Sequence, residues 1–162
     1  MSQTDFNYMN STNSDANGPR SPKCVVDSFI KDGQKITLGD TTVTIVETPG
    51  HTPGCVSLLF PVKENGKSYM AAQWGGTGAP HDLNDKLAYK KSIDHFEEYT
   101  NAAHVSAEIT AHLFTENGYQ KLEEVRTRKT GTENPFVIGE TGFLDYLNNL
   151  RTSIDMAIAA QE

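Results

Sequence analysis

Along Thr42–Val46, Val43 and Ile45 alternate with Thr42, Thr44 and Val46. A period of two in β-branched residues reads as a strand with one face turned inward. Lys35–Leu38 and Thr41–Glu47 pair around Gly39-Asp40, a glycine-first turn suited to type II′. Cys55–Val62 and Lys67–Gln73 pair in the same way around Glu64-Asn65-Gly66. Cys24–Ile30 is a short apolar stretch, read as an edge strand. The pattern therefore predicts a meander of four or five strands.

The period then changes. Asn84 or Asp85 can cap a helix running to about Ala103, with Tyr89, Ile93, Phe96, Tyr99 and Ala103 on one face. Val105–Thr110 reads as a short strand and Tyr119–Lys129 as a helix with a stripe of Tyr119, Leu122 and Val125. Thr130–Ile138 is a loop. The last helix starts near Thr141, runs to about Ala160, and carries Phe143, Leu147, Leu150, Ile154 and Ile158 on one side. Strands, helix, strand and helices in this order predict an α/β fold: one mainly antiparallel sheet covered by helices on one face. Met1–Asn10 reads as a short helix or turn capped by Ser2 or Thr4, and Ser11–Pro22 as a polar, turn-rich loop. Residues 1–22 are thus expected to be a mobile segment ahead of a domain spanning 23–162.

Composition narrows the function classes. A net charge of −7, with no basic patch beyond Arg126–Lys129, disfavours nucleic acid as the main partner. No apolar run reaches the length needed to span a membrane, and the N-terminus lacks the basic-then-apolar form of a secretory signal. Cys24 and Cys55 form no disulfide framework; two buried thiols in a cytoplasmic chain is the simpler reading, and one disulfide is the alternative.

Chemistry concentrates at His51. The turn Thr48–Gly54 reads T-P-G-H-T-P-G and joins two strands. Proline fixes φ and glycine supplies positive φ, so covalent geometry sets the backbone on both sides of the imidazole. A histidine held in this way at the rim of a sheet suits metal ligation; a turn that happens to hold a polar residue is the plain alternative. No two of the five histidines have the short spacing with which one loop or helix turn grips zinc. His81, His95 and His104 read as structural or solvated. His112 also follows a strand, so it is the candidate to meet His51, or else a polar residue starting a loop.

T-P-G-H-T-P-G resembles the third metal-ligand motif of the metallo-β-lactamase superfamily of zinc hydrolases. The resemblance extends to roughly Gly139 and is strongest at the motif, at Ala71–Gly78 and at Asn134–Gly139. It implies half of an αββα sandwich. In it, His51 matches the third histidine of the first metal site and His112 the late histidine of the second. It implies one or two zinc ions in a complete relative, where bound water becomes a nucleophile near neutral pH and a carbonyl is polarised. Substrates would be small acyl compounds: β-lactams, lactones or thioesters. Complete members carry an upstream H-x-H-x-D-H motif that this sequence lacks, and Gln73 and Trp74 stand where many have an aspartate or cysteine ligand. The expectation is a C-terminal half that binds zinc weakly and turns over little alone, with a homodimer or partner chain covering the exposed sheet face. The alternative is a non-catalytic remnant acting as a binding or structural protein with a partner.

Overall fold

The computed structural model describes residues 1–11 and 23–161. Five strands form one sheet in the order β1-β2-β3-β4-β5: β1 Gln34–Leu38, β2 Thr41–Glu47, β3 Val56–Glu64, β4 Lys67–Gln73 and β5 Val105–Glu108. The first four are antiparallel, and β5 joins β4 in parallel after a crossover through helix α2. Each hairpin turns where its sequence permits left-handed backbone. Gly39 has φ of 62°, and Asn65-Gly66 have φ of 50° and 79°, as a two-residue type I′ turn requires. Helices α1 Gln3–Ser11, α2 Leu83–Ala102, α3 Gly118–Thr127 and α4 Gly139–Ala159 complete the described chain.

The two faces of the sheet differ. Val46, Leu59, Ala72 and Val105 pack under Ile93, Phe96, Phe143, Leu147 and Ile154 of α2 and α4, all buried. This is the α/β arrangement expected, with helices on one face. The register puts Ile36, Leu38, Val43, Leu58, Phe60 and Val62 on the opposite face. There Leu38 is 86% and Ile36 47% exposed, while the other four are half-buried.

Several elements depart from the sequence reading. Cys24–Ile30 forms no strand; Ile30 makes only an isolated bridge to Ser2. Cys24 is exposed, Cys55 is buried, and both are free thiols. Helix α2 begins at Leu83 because Asp82, not Asn84 or Asp85, is the cap, its carboxylate accepting from the Asn84 and Asp85 amides. The α3 stripe does not pack inward: Tyr119 is 64% and Leu122 38% exposed. The contact that holds α3 is polar, Lys121 reaching Glu108, and Gly118 is its buried residue. The expected mobile segment 1–22 divides: residues 3–11 form α1, and residues 12–22 lie outside the described residues. No helix among the described residues is long and apolar enough to cross a membrane.

Candidate metal-facing rim

The strand directions bring four loop ends to one rim: the end of β2, the start of β3 and the ends of β4 and β5. His51 lies on the β2–β3 turn and His112 on the loop that follows β5. Both side chains are exposed.

The His51 turn is fastened from several sides. Gly50, at φ of 138°, lies so close to α2 that a Cβ there would sit 2.6 Å from the Tyr89 backbone. Ser92 Oγ donates to the Pro49 carbonyl at 2.7 Å, and the Thr48 and Ser57 hydroxyls meet at 2.8 Å in the buried base of the turn. Gly54 was expected to supply positive φ and does not. Its role is room: a Cβ there would lie 2.1 Å from Ser2 Oγ. Ser2 donates to the Gly54 carbonyl at 2.8 Å. Asp5 accepts from the Gly54 amide at 2.8 Å and the Thr52 hydroxyl at 2.7 Å. Helix α1 and the residue that precedes it thus clasp the turn with one carboxylate and one hydroxyl. The glycine-rich loop closes the other side. A Cβ on Gly75 would collide with the Val56 carbonyl, and one on Gly76 would lie 2.5 Å from His51 Cβ.

His112 is held from within its own loop. Its carbonyl lies 2.9 Å from Thr110 Oγ1 and 2.7 Å from Thr115 Oγ1, and accepts from the Thr115 amide at 3.0 Å. The two threonine hydroxyls lie 2.6 Å apart, so that one donates to the other while only the second donates to the carbonyl, and the His112 amide donates back to Thr110 at 3.2 Å. The ring stacks on Phe114 at 5.1 Å. A buried ion pair joins the two ends of the loop, Lys121 Nζ to Glu108 at 3.0 Å. Burial pushes the Glu108 carboxyl above its usual value, and Lys121 pulls it partly back. The other Glu108 oxygen is buried without a partner among the described residues.

Two of the remaining histidines pair with carboxylates. His95 bonds Asp32 at 3.0 Å, beside Tyr99 at 3.1 Å. Burial raises the Asp32 carboxyl, but bonds from the Glu47 amide, Tyr99 and His95 outweigh it and hold it below its usual value. His104 meets Glu140 at 3.1 Å. His81 lies in the turn before α2, its carbonyl bonded by Gln161. Among the described residues no three of His, Cys, Asp and Glu converge to hold a metal ion.

Ser2, Asp5, Thr110, Thr115 and Lys121 were not picked out as site residues from sequence. Ser2-x-x-Asp5 has the form of a helix cap, and Ser2 Oγ does accept from the Asp5 amide at 3.0 Å. Nothing local announces that the Asp5 carboxylate reaches a turn 49 residues on.

No protein-family model and no curated protein matches the chain. Solved structures do. The chain is similar to native FEZ-1 metallo-β-lactamase from Legionella gormanii, with 25% identity and a TM-score of 0.74, covering 96% of this chain and 58% of that one. It is similar to BJP-1, a subclass B3 metallo-β-lactamase of Bradyrhizobium japonicum, with 27% identity and a TM-score of 0.68, covering 86% and 53%. A Cronobacter sakazakii metallo-β-lactamase matches at 26% identity and a TM-score of 0.62. The chain spans little more than half the length of these structures. The T-P-G-H-T-P-G turn, the five-stranded sheet and helices on one face agree with that match: the chain is similar to metallo-β-lactamases and carries about half of their fold.

Proposed function

We propose that this chain contributes one wall of a metallo-β-lactamase-type hydrolase, with His51 and His112 as the metal ligands it supplies. What supports the reading is that two histidines on separate, tightly fastened loops share one rim of the sheet. A catalytic zinc takes three protein ligands. Two histidines do not reach that number, and no third ligand converges with them among the described residues. The described residues by themselves therefore do not fit a catalytic zinc. Further ligands would have to come from outside the described residues or from a partner, and the substrate class, small acyl compounds, follows the superfamily.

The test has two arms. The isolated chain should hydrolyse a chromogenic β-lactam or lactone no faster than zinc-containing buffer, and its weak zinc uptake should fall in both His51→Ala and His112→Ala. Zinc uptake unchanged in both variants would remove the ligand assignment. Enzyme-like turnover lost in His51→Ala would mean that the ligand set is larger than proposed.

A second reading, a non-catalytic protein that works with a partner chain, has one observation in its favour. On the sheet face opposite α2 and α4, Leu38 is 86% and Ile36 47% exposed, although Ile45 on the same face is buried. Covering several hundred Å² of apolar surface is worth roughly ten kcal/mol. A second copy or another chain on this face would give a concentration-dependent sedimentation coefficient; a monodisperse monomer that binds no hydrophobic dye would exclude it.

A further inference from the structure

Between the glycine-rich loop, the His112 loop and α4 lies a cavity of about 160 Å³. Its walls include the rings of Trp74, Tyr89 and Tyr146 and the side chains of Leu150 and Ile154. The polar tips of two of these walls are consumed internally. Trp74 Nε1 donates to the Tyr89 hydroxyl at 2.8 Å, and that hydroxyl donates to the Gly76 carbonyl at 2.8 Å. Thr110 and Thr115 also reach the cavity, but their hydroxyls are bonded to each other and to His112. What these residues leave to the space is in the majority aromatic and methyl surface, with the Tyr146 hydroxyl, Thr77 and Ser153 as further polar lining. An apolar cavity of roughly 150 Å³ is large enough for one benzene ring.

One lining group is charged. Glu116 stands in left-handed backbone, φ 51°, and its carboxylate has no ion-pair partner among the described residues. Glu116 and Tyr146 also line an adjoining cleft with Glu108 and Asp145, whose only lysine, Lys121, is engaged by Glu108. Glu116 and Asp145 are therefore the charges this cleft leaves without an ion-pair partner among the described residues. A carboxylate beside an aromatic wall attracts a cation that can donate hydrogen bonds and repels an anion.

We propose that this cavity is a binding site for a small arylalkylamine: a single aromatic ring seated against Trp74, Tyr89 and Tyr146, with its ammonium group bonded to Glu116. The site lies on the helix side of the sheet, uses neither histidine, and does not depend on the hydrolytic reading.

Trp74 is the only tryptophan, so its emission reports occupancy directly. Titrating the full chain with benzylamine should give a saturable emission change and raise Tm. Benzoate, the same ring with the opposite charge, should bind on the order of tenfold more weakly. Glu116→Gln should abolish that discrimination while keeping ring binding. Ser153→Phe, on the exposed side of α4 at the cavity's edge, should block both probes; if that variant does not fold, Glu116→Gln decides. The proposal is overturned by any of three results: no saturable response to benzylamine in a chain that melts cooperatively, benzoate binding as tightly as benzylamine, or undiminished binding in a folded Ser153→Phe.

Discussion

The two histidine-bearing loops solve one problem in opposite ways. The His51 turn is short and stiffened by two prolines, and beyond its own Thr48–Ser57 and backbone bonds it is fixed from distant chain: Ser2 just before α1, Asp5 of α1 and Ser92 of α2. The His112 loop is longer and has no proline, and it is fixed almost wholly by its own threonines and by an ion pair between its two ends. The first depends on tertiary assembly. The second is nearly self-sufficient once Glu108 and Lys121 meet. The two should therefore fail independently, and mutations that loosen one should leave the other protected.

The largest effect is expected at the buried pair. Lys121→Met leaves the Glu108 carboxylate, 2% exposed, without its partner, at a cost of about 3 kcal/mol. The sign of the pH dependence follows from the raised carboxyl. A folded-state value above the unfolded one favours the protonated form, so the associated stability is full below the unfolded value near 4.3 and is lost as pH rises through the folded one. Without Lys121 the carboxyl is raised further, so the loss of Tm should be greater at pH 8 than at pH 5. Amide exchange should quicken at Gly118 and Thr115 but not at Gly54. An equal loss at both pH values would mean that Glu108 does not ionise in this environment.

Asp5→Ala is the reciprocal experiment. It removes two bonds to a charged acceptor and should cost about 2 kcal/mol. Exchange should quicken at the Gly54 amide and stay slow in the His112 loop. If both loops loosen together, the contrast between them is wrong. Thr115→Val tests the internal clasp and should cost about 1 kcal/mol, because the His112 carbonyl keeps its bonds from Thr110 and from the Thr115 amide.

The smallest effect belongs to a residue outside both loops. The Asp32 carboxyl is held low, so its contribution is present above the unfolded value near 3.9 and lost as pH falls through the folded one. Asp32→Asn should therefore lower stability modestly at pH 7, and that loss should vanish as pH falls through the folded value, which flattens the acid limb of the stability curve. An unchanged acid limb would show that the His95 and Tyr99 contacts are incidental.

Much of this was legible in the sequence, for physical reasons. The hairpins follow from β-branched alternation and from Gly39 and Asn65-Gly66 at positions needing left-handed backbone. The inward stripes of α2 and α4 follow from helical spacing, and Tyr89, Ile93, Phe96, Phe143, Leu147 and Ile154 are indeed buried. Gly75 and Gly76 serve close packing against Val56 and His51. The α3 stripe was misread because spacing cannot tell which side a helix offers when a lysine–glutamate pair decides it. The role of Gly54 was misread because a glycine needed for room looks the same in sequence as one needed for φ. The Ser2–Asp5 clasp was invisible because it joins residues about 50 apart.

The central claim is that His51 and His112 belong to one metal-facing rim. Imidazole nitrogen resonances followed during zinc titration of the intact chain test it most directly. The account predicts that His51 and His112 shift together on a single weak isotherm, while His95 and His104, engaged by Asp32 and Glu140, stay unmoved. Separate isotherms for His51 and His112, or an equal response from His95 and His104, would contradict it.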